Sequence, residues 1–241
     1  LYPKKIIAVS KKVKKNLIDY FKIADDRIKV IHNGIEDTSS EIQIKFTKKK
    51  NINILYPARI TSVKQQIDLV KYIKEKDTKG IHITFCGDGE KYSELLKLIE
   101  GDSRFTAKGL VTNMKKEYIN SDFVLLFSKR EGLPVSLIEA SKFGLPIICN
   151  DVGGNTEIVK HDVNGFVVNN YNKLAELLSN LNKITLEKYT KLSENSRKVF
   201  ISKFKEELMI NNYFDQIHEF NKKKSIWFLH INFSCHSFAL G

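Results

Sequence analysis

Residues Phe123-Val124-Leu125-Leu126-Phe127 are apolar without a break. A strand with one wet face alternates apolar and polar side chains. An unbroken apolar run marks a strand covered on both faces. A chain with such a strand must supply helices on both sides of a sheet, and from Asn53 onward this one has the material. Strand-like runs fall at Ile54-Leu55-Tyr56, Ile81 to Cys86, Phe105-Thr106-Ala107, Phe123 to Phe127, Ile147-Ile148-Cys149 and Phe166-Val167-Val168. Amphipathic stretches lie between them at 63–76, 90–99, 115–120, 135–143 and 155–159. Strands alternating with helices make βαβ units and a parallel sheet. The expected fold class is therefore α/β, a doubly wound parallel sheet, with helical additions from 171 to about 220. Ligands of such sheets bind beyond the carboxyl ends of the strands.

The flanks read differently. Ile6 to Val9 suggests a short strand, with Ser10 capping a helix through Phe21. Ile28 to Ile31 suggests another strand, stopped by the turn dipeptide Asn33-Gly34. Residues 36–51 are polar and Lys-rich, as a linker would be. The tail 225–241 is apolar but interrupted by His and Asn, and it is too short to span a bilayer. It suits a partner-binding strip, a membrane-surface contact or a frameshifted end. No signal peptide is visible, and the chain does not start with Met, as expected of a fragment.

The net charge is +12, from 40 basic and 28 acidic residues. Such an excess first suggests nucleic acid or an anionic membrane. However, 35 of the basic residues are Lys and five are Arg, and there are 19 Asn, which fits AT-rich coding. The excess is also uneven: residues 51–170 hold 16 basic and 15 acidic residues, while residues 1–50 hold 13 and 6. No zinc finger, RNA-recognition aromatic motif or Arg cluster accompanies the charge, so nucleic acid is not an expected partner. Three cysteines exclude a disulfide scaffold. Cys86 and Cys149 read as buried core, and with Cys235 they lack metal-ligand spacing. His32, His82 and His161 read as structural.

Chemistry gathers at the strand ends. Strand 54–56 ends in Pro57-Ala58-Arg59, and Lys64 opens the next helix. A guanidinium and an ammonium on one strand-to-helix loop suit a phosphate or diphosphate, although either alone could be a surface cation. Strand 81–86 ends in Gly87-Asp88-Gly89, where glycine lets backbone come close to a ligand; no third glycine follows at dinucleotide spacing. Strand 123–127 leads through Glu131-Gly132-Leu133-Pro134-Val135-Ser136 to Glu139. Pro134 fits the first turn of a helix. Backbone N–H groups around Leu133 to Ser136 would then form an anion site at the positive helix end. Glu131 and Glu139 flank that site, with Glu139 roughly 7 Å along the helix. Anion site plus carboxylates suits a ligand bearing both phosphate and hydroxyls. Gly153-Gly154 precedes a short helix, for which Asn155 or Thr156 could be the N-cap.

In order and spacing these residues resemble one family. Glu131-Gly132-Leu133-Pro134, followed eight residues after Glu131 by Glu139, resembles the hallmark of retaining GT-B glycosyltransferases of family 4, in their C-terminal donor-binding domain. Arg59 with Lys64, Gly109-Leu110-Val111, Gly153-Gly154-Asn155-Thr156-Glu157 and Asn33-Gly34-Ile35 resemble its other landmarks. The resemblance covers roughly residues 1–220. It implies a Rossmann-like donor-binding domain at 53–203, an N-terminal-domain remnant and hinge at 1–37, a linker at 38–52, a crossing helix at 204–221 and a tail at 222–241.

The resemblance also implies roles. Arg59 and Lys64 would hold the diphosphate, and Glu131 the transferred sugar. Glu139 would accept the ribose hydroxyls. Gly87 and Val111 would let backbone approach the nucleotide, and Gly132, Leu133, Pro134, Val135 and Ser136 would line the sugar and phosphate. The implied reaction moves a sugar with retention from a nucleotide sugar, UDP-linked in preference to GDP-linked, to a glycan or lipid-linked acceptor. No cofactor and no metal are expected, and no Asp-x-Asp pair is present. The implied setting is bacterial surface-polysaccharide synthesis in the cytoplasm, and the basic excess outside residues 51–170 would help peripheral association with an anionic membrane surface. A donor-binding half without its partner domain also suits a non-catalytic binding module. The family's usual Lys-Gly step is here Lys64-Gln65, and its N-domain histidine near the sugar has no counterpart.

Overall fold

A computed structural model describes residues 5–38, 51–76, 78–221 and 228–231. The sheet expected from the buried run is present, with six parallel strands. They are β3 (Ile52–Pro57), β4 (Ile81–Cys86), β5 (Phe105–Ala107), β6 (Phe123–Leu126), β7 (Ile147–Cys149) and β8 (Gly165–Val167), in spatial order β5-β4-β3-β6-β7-β8. All four residues of β6 are inaccessible to solvent, as an unbroken apolar strand requires. The helices between strands are α2 (Gln66–Lys74), α3 (Tyr92–Ile99), α4 (Met114–Ile119), α5 (Val135–Lys142) and α6 (Asn155–Ile158). Helices α7 (Tyr171–Asn180), α8 (Leu186–Lys203) and α9 (Glu206–Asn221) follow. Helix α2 packs on α3 and α7, while α5 packs on α6 and α8.

The strand order fixes where a ligand can sit. From β3 the chain winds outward through β4 to β5, then returns to place β6 on the other side of β3 and winds outward again through β7 to β8. The loops leaving β3 and β6 therefore part in opposite directions and open a crevice at the carboxyl end of the sheet. These are the loops that carry Arg59, Lys64 and Glu131.

A second sheet holds β1 (Lys5–Ala8), β2 (Ile28–Val30) and β9 (Phe228–Ile231) in the order β2-β1-β9. The Ser10 hydroxyl accepts from the Val13 N–H at 3.1 Å and caps α1 (Lys11–Asp19). The tail, which sequence left without a place, supplies β9, parallel to β1 with Lys5 opposite Phe228 and Ala8 opposite Ile231. Residues 39–50 of the expected linker, the remainder of the tail and Cys235 lie outside the described residues. The hinge tripeptide docks on the last helix. Ile35 N–H donates to Phe204 O, and Glu206 N–H donates to Ile35 O, both at 3.0 Å. A Cβ on Gly34 would come within 2.6 Å of the Lys205 carbonyl oxygen, so only glycine fits there.

Three local expectations need correction. Helix α2 begins at Gln66, two residues after Lys64, because Gln65 adopts a left-handed conformation (φ 54°) that closes the preceding turn. Lys64 thus sits on the loop and does not open the helix. Pro134 precedes α5 as its cap residue (φ −71°, ψ 119°) and is not in the first turn. The cap of α6 is Gly154, not Asn155 or Thr156; the Asn155 side chain instead donates to the Asn150 carbonyl at 3.0 Å.

Candidate functional site

The crevice is built by stitching two loops together. The Lys129 N–H donates to Val63 O at 2.8 Å, joining the loop after β6 to the loop after β3. The buried Tyr56 hydroxyl, at the end of β3, lies 2.5 Å from Lys64 O and 2.8 Å from Phe127 O, and accepts from the Phe127 N–H at 3.0 Å. Burial holds the Tyr56 phenol far above its ordinary pKa, so it stays protonated and can donate. Gln66, fully buried, anchors the turn from below. Its side-chain N–H donates to Arg59 O at 2.8 Å, and its carbonyl accepts from Thr61 N–H at 3.4 Å.

The Lys64 ammonium meets the Glu131 carboxylate at 2.5 Å. Both side chains are largely withdrawn from water, at 15% and 6% exposure. A close pair of this kind fixes where the ammonium points. Arg59 is exposed on the same loop, at the rim of the crevice.

Behind Glu131 the backbone is held by the glycine pair. The Gly154 N–H donates to Gly132 O at 2.7 Å. Gly153 has φ 58°, and a Cβ there would lie 2.0 Å from Glu131 O. Any side chain at Gly153 would push Glu131 out of place. On the other wall, Gly87 packs against the β3 loop, where a Cβ would meet Ala58 O at 2.1 Å. Glycine at Gly87 is therefore required by loop packing.

Helix α5 points its N-terminus at the crevice. Leu137 N–H is satisfied by Pro134 O at 3.1 Å, and Pro134 has no N–H, so the helix end presents the N–H groups of Val135 and Ser136. Gly132, Leu133 and Pro134 are buried beneath it, and Val135 is exposed. Glu139 lies one turn further on, half-buried, and accepts a hydrogen bond from the Tyr118 hydroxyl at 2.7 Å. Val111 is half-buried and packs against the core.

The amino-terminal segment seals the near side. Asn33 donates to Leu133 O at 3.2 Å. Glu157 accepts from the Lys11 and Lys12 N–H groups at 3.1 and 3.2 Å, at the N-terminus of α1. The His32 ring Nε2 is 2.8 Å from the same carboxylate. Burial raises the Glu157 pKa, but those hydrogen bonds outweigh it and hold the carboxyl below its ordinary range. Sequence reasoning marked neither this contact nor the Tyr56, Gln66 and Tyr118 side chains. His82 and His161 bond to nearby backbone and Thr106, as structural residues do. Cys86 and Cys149 are buried, and burial raises both thiols, Cys86 to about 11.

Comparison with known proteins identifies the family. The family model described as Glycosyl transferases group 1 matches residues 37–199. The chain belongs to that family. A Glycosyltransferase Family 4 model matches residues 2–39, the segment that carries β1, α1 and β2. An uncharacterized glycosyltransferase of Methanocaldococcus jannaschii is 30% identical over 180 residues, 68% of this chain and 46% of that protein. A capsular polysaccharide biosynthesis glycosyltransferase of Staphylococcus aureus, CapH, is 29% identical over 66% of this chain and 46% of its own length. Among solved structures, a Rickettsia africae glycosyltransferase aligns with a TM-score of 0.80 at 22% identity, over 92% of this chain and 64% of that one. Anabaena HepE, solved with UDP and glucose, aligns at 0.76 and 19% identity, over 91% and 63%. The fold is thus that of GT-B glycosyltransferases. The chain spans about half the length of the curated relatives it matches.

Proposed function

We propose that this chain is the donor-binding half of a retaining glycosyltransferase. It transfers a sugar from a nucleoside diphosphate sugar, UDP-linked in preference to GDP-linked, to a glycan or lipid-linked acceptor in surface-polysaccharide synthesis. The observation that carries the reading is the Lys64–Glu131 pair beside the N-terminus of α5, at the point where the strand order reverses. Cleaving the anomeric C–O bond sends its electron pair to the leaving diphosphate and leaves positive character on the sugar ring. Arg59, Lys64 and the α5 N–H groups stabilise the first charge, already oriented before reaction. In this reading Glu131 accepts from sugar hydroxyls and offsets the second. The chain's own cations serve the leaving group, so no divalent metal enters this reading. In the family's retaining chemistry the acceptor attacks the face from which the phosphate departs.

The Anabaena relative's structure with UDP and glucose and the capsular role named for the Staphylococcus relative support the substrate class and the setting. Among the described residues, no helix is long and apolar enough to cross a membrane. Peripheral attachment at the cytoplasmic face would use α1, where Lys11, Lys12 and Lys15 are exposed and exposed Tyr20 and Phe21 follow. Lys14 is engaged with Asp25 at 2.8 Å. Neutralising Lys11, Lys12 and Lys15 should abolish binding to anionic liposomes. A second reading is a non-catalytic module that binds the nucleotide sugar or its diphosphate. Titration with UDP- and GDP-sugars tests the shared claim. Arg59→Ala should weaken binding by about one to two decades, the value of one charge-assisted contact. Sugar transfer to a lipid-linked acceptor, with the product anomer read by NMR, separates the enzyme from the module.

A further inference from the structure

Tyr118 is the penultimate residue of α4, and it is 1% exposed. Its ring stacks on Phe143, with centroids 5.2 Å apart and planes 16° from parallel. The stack fixes where the hydroxyl sits. That hydroxyl is 2.7 Å from Glu139 Oε2 and 3.2 Å from Ser136 O. A phenol has one proton to give, and the shorter bond to a charged acceptor takes it. Burial, and then the Glu139 charge, raise the Tyr118 pKa well above its ordinary value, so the proton stays on the phenol at working pH. Among the described residues, Tyr118 is the hydrogen-bond partner the Glu139 carboxylate has.

A glutamate on a helix has three rotatable bonds, and a half-buried one can swing between solvent and crevice. The Tyr118 bond removes that freedom. We propose that Tyr118 is a positioning residue: it clamps one oxygen of Glu139 so that the carboxylate stands ready to accept the ribose hydroxyls of the nucleotide. The inference rests on the donor-binding reading given under Proposed function, with Glu139 taking the ribose role that the family resemblance implies. It adds a residue on a different helix, 21 positions earlier in the chain. It also gives the buried hydroxyl of Tyr118 a purpose that core packing does not need, since a phenylalanine would fill the same space.

The test compares two ligands, UDP and 2′,3′-dideoxyuridine diphosphate, by calorimetry on the full chain. Tyr118→Phe keeps the stacked ring. If Tyr118 positions Glu139, wild type prefers UDP, and Tyr118→Phe weakens UDP about three- to tenfold, the range for ordering one side chain, while leaving the dideoxy ligand unchanged. In a Glu139→Ala background, Tyr118→Phe then has no further effect on UDP. Equal loss for both ligands would mean a structural role and would overturn the proposal. No loss for either would overturn it as well. If wild type itself does not distinguish the ligands, the ribose role of Glu139 fails first, and the positioning role fails with it. If wild type distinguishes them but Tyr118→Phe does so equally well, the role of Tyr118 alone fails.

Discussion

Lys64 and Glu131 make the sharpest stability prediction in the molecule. Replacing Lys64 with Met keeps the length of the stem and removes the charge. It leaves Glu131, 6% exposed, as a carboxylate without its ion-pair partner. Removing one member of a buried pair costs about 3–5 kcal/mol, and the 15% exposure of Lys64 places this case near the low end, at about 3 kcal/mol. For a chain of this size each kcal/mol shifts Tm by about 2–4 °C, so Lys64→Met should melt about 6–12 °C lower. Glu131→Gln in the same chain removes the stranded charge. The double variant should recover most of the loss and sit within about 1 kcal/mol of wild type. Nucleotide-sugar binding should not recover with it, because the double variant lacks both the cation proposed to hold the diphosphate and the carboxylate proposed to hold the sugar. Differential scanning calorimetry of the four proteins, with and without UDP-sugar, reads both quantities. Single and double variants with equal Tm would refute the claim that the pair is electrostatically coupled. A double variant that binds donor like wild type would refute its place in the site.

Three further outcomes follow from the contacts around the crevice. The Glu157 carboxyl is held below its ordinary value near 4.5, so its stabilisation is present in full above that pH and is lost as pH falls through the lower folded value. Glu157→Gln should therefore cost about 2 kcal/mol at neutral pH. The gap to wild type should close in acid, as read by urea unfolding across pH. Tyr56→Phe keeps a buried ring but leaves the Phe127 N–H without its acceptor and one of the Lys64 and Phe127 carbonyls without its donor, and should lower stability by about 1–3 kcal/mol in the same assay. Gly153→Ala adds a Cβ within 2.0 Å of Glu131 O at a φ of 58°. It should weaken donor binding at least tenfold, measured by calorimetry, and should lower Tm with it.

Sequence and structure agree most closely where the signal is local. The apolar run at Phe123 to Phe127 demanded a two-sided sheet, and β6 lies at its centre with no exposed residue. Lys64 and Glu131 stood out in the sequence because they sit on strand-end loops, where side-chain types suggest a ligand chemistry. Their mutual contact was not legible, since 67 residues separate them. Similar separations hid the contacts that hold these loops. Tyr56 reads as one more strand residue until its hydroxyl meets Phe127, 71 positions away. Glu157 reads only as the last residue of the Gly153-Gly154 landmark until the N-terminus of α1 arrives from 146 positions earlier. Strand β9 was missed because a four-residue edge strand gains its identity only from the partner it pairs with. Helix α2 began late for a local reason: no side-chain pattern announces a left-handed residue at Gln65, where the family's usual glycine would have done so.

A crystal structure of the chain with UDP bound would test the central claim most directly. The account predicts the diphosphate between Arg59, Lys64 and the N–H groups of Val135 and Ser136, with the ribose hydroxyls on Glu139. A nucleotide bound away from the carboxyl ends of β3 and β6, or a diphosphate that touches neither Lys64 nor the start of α5, would contradict it.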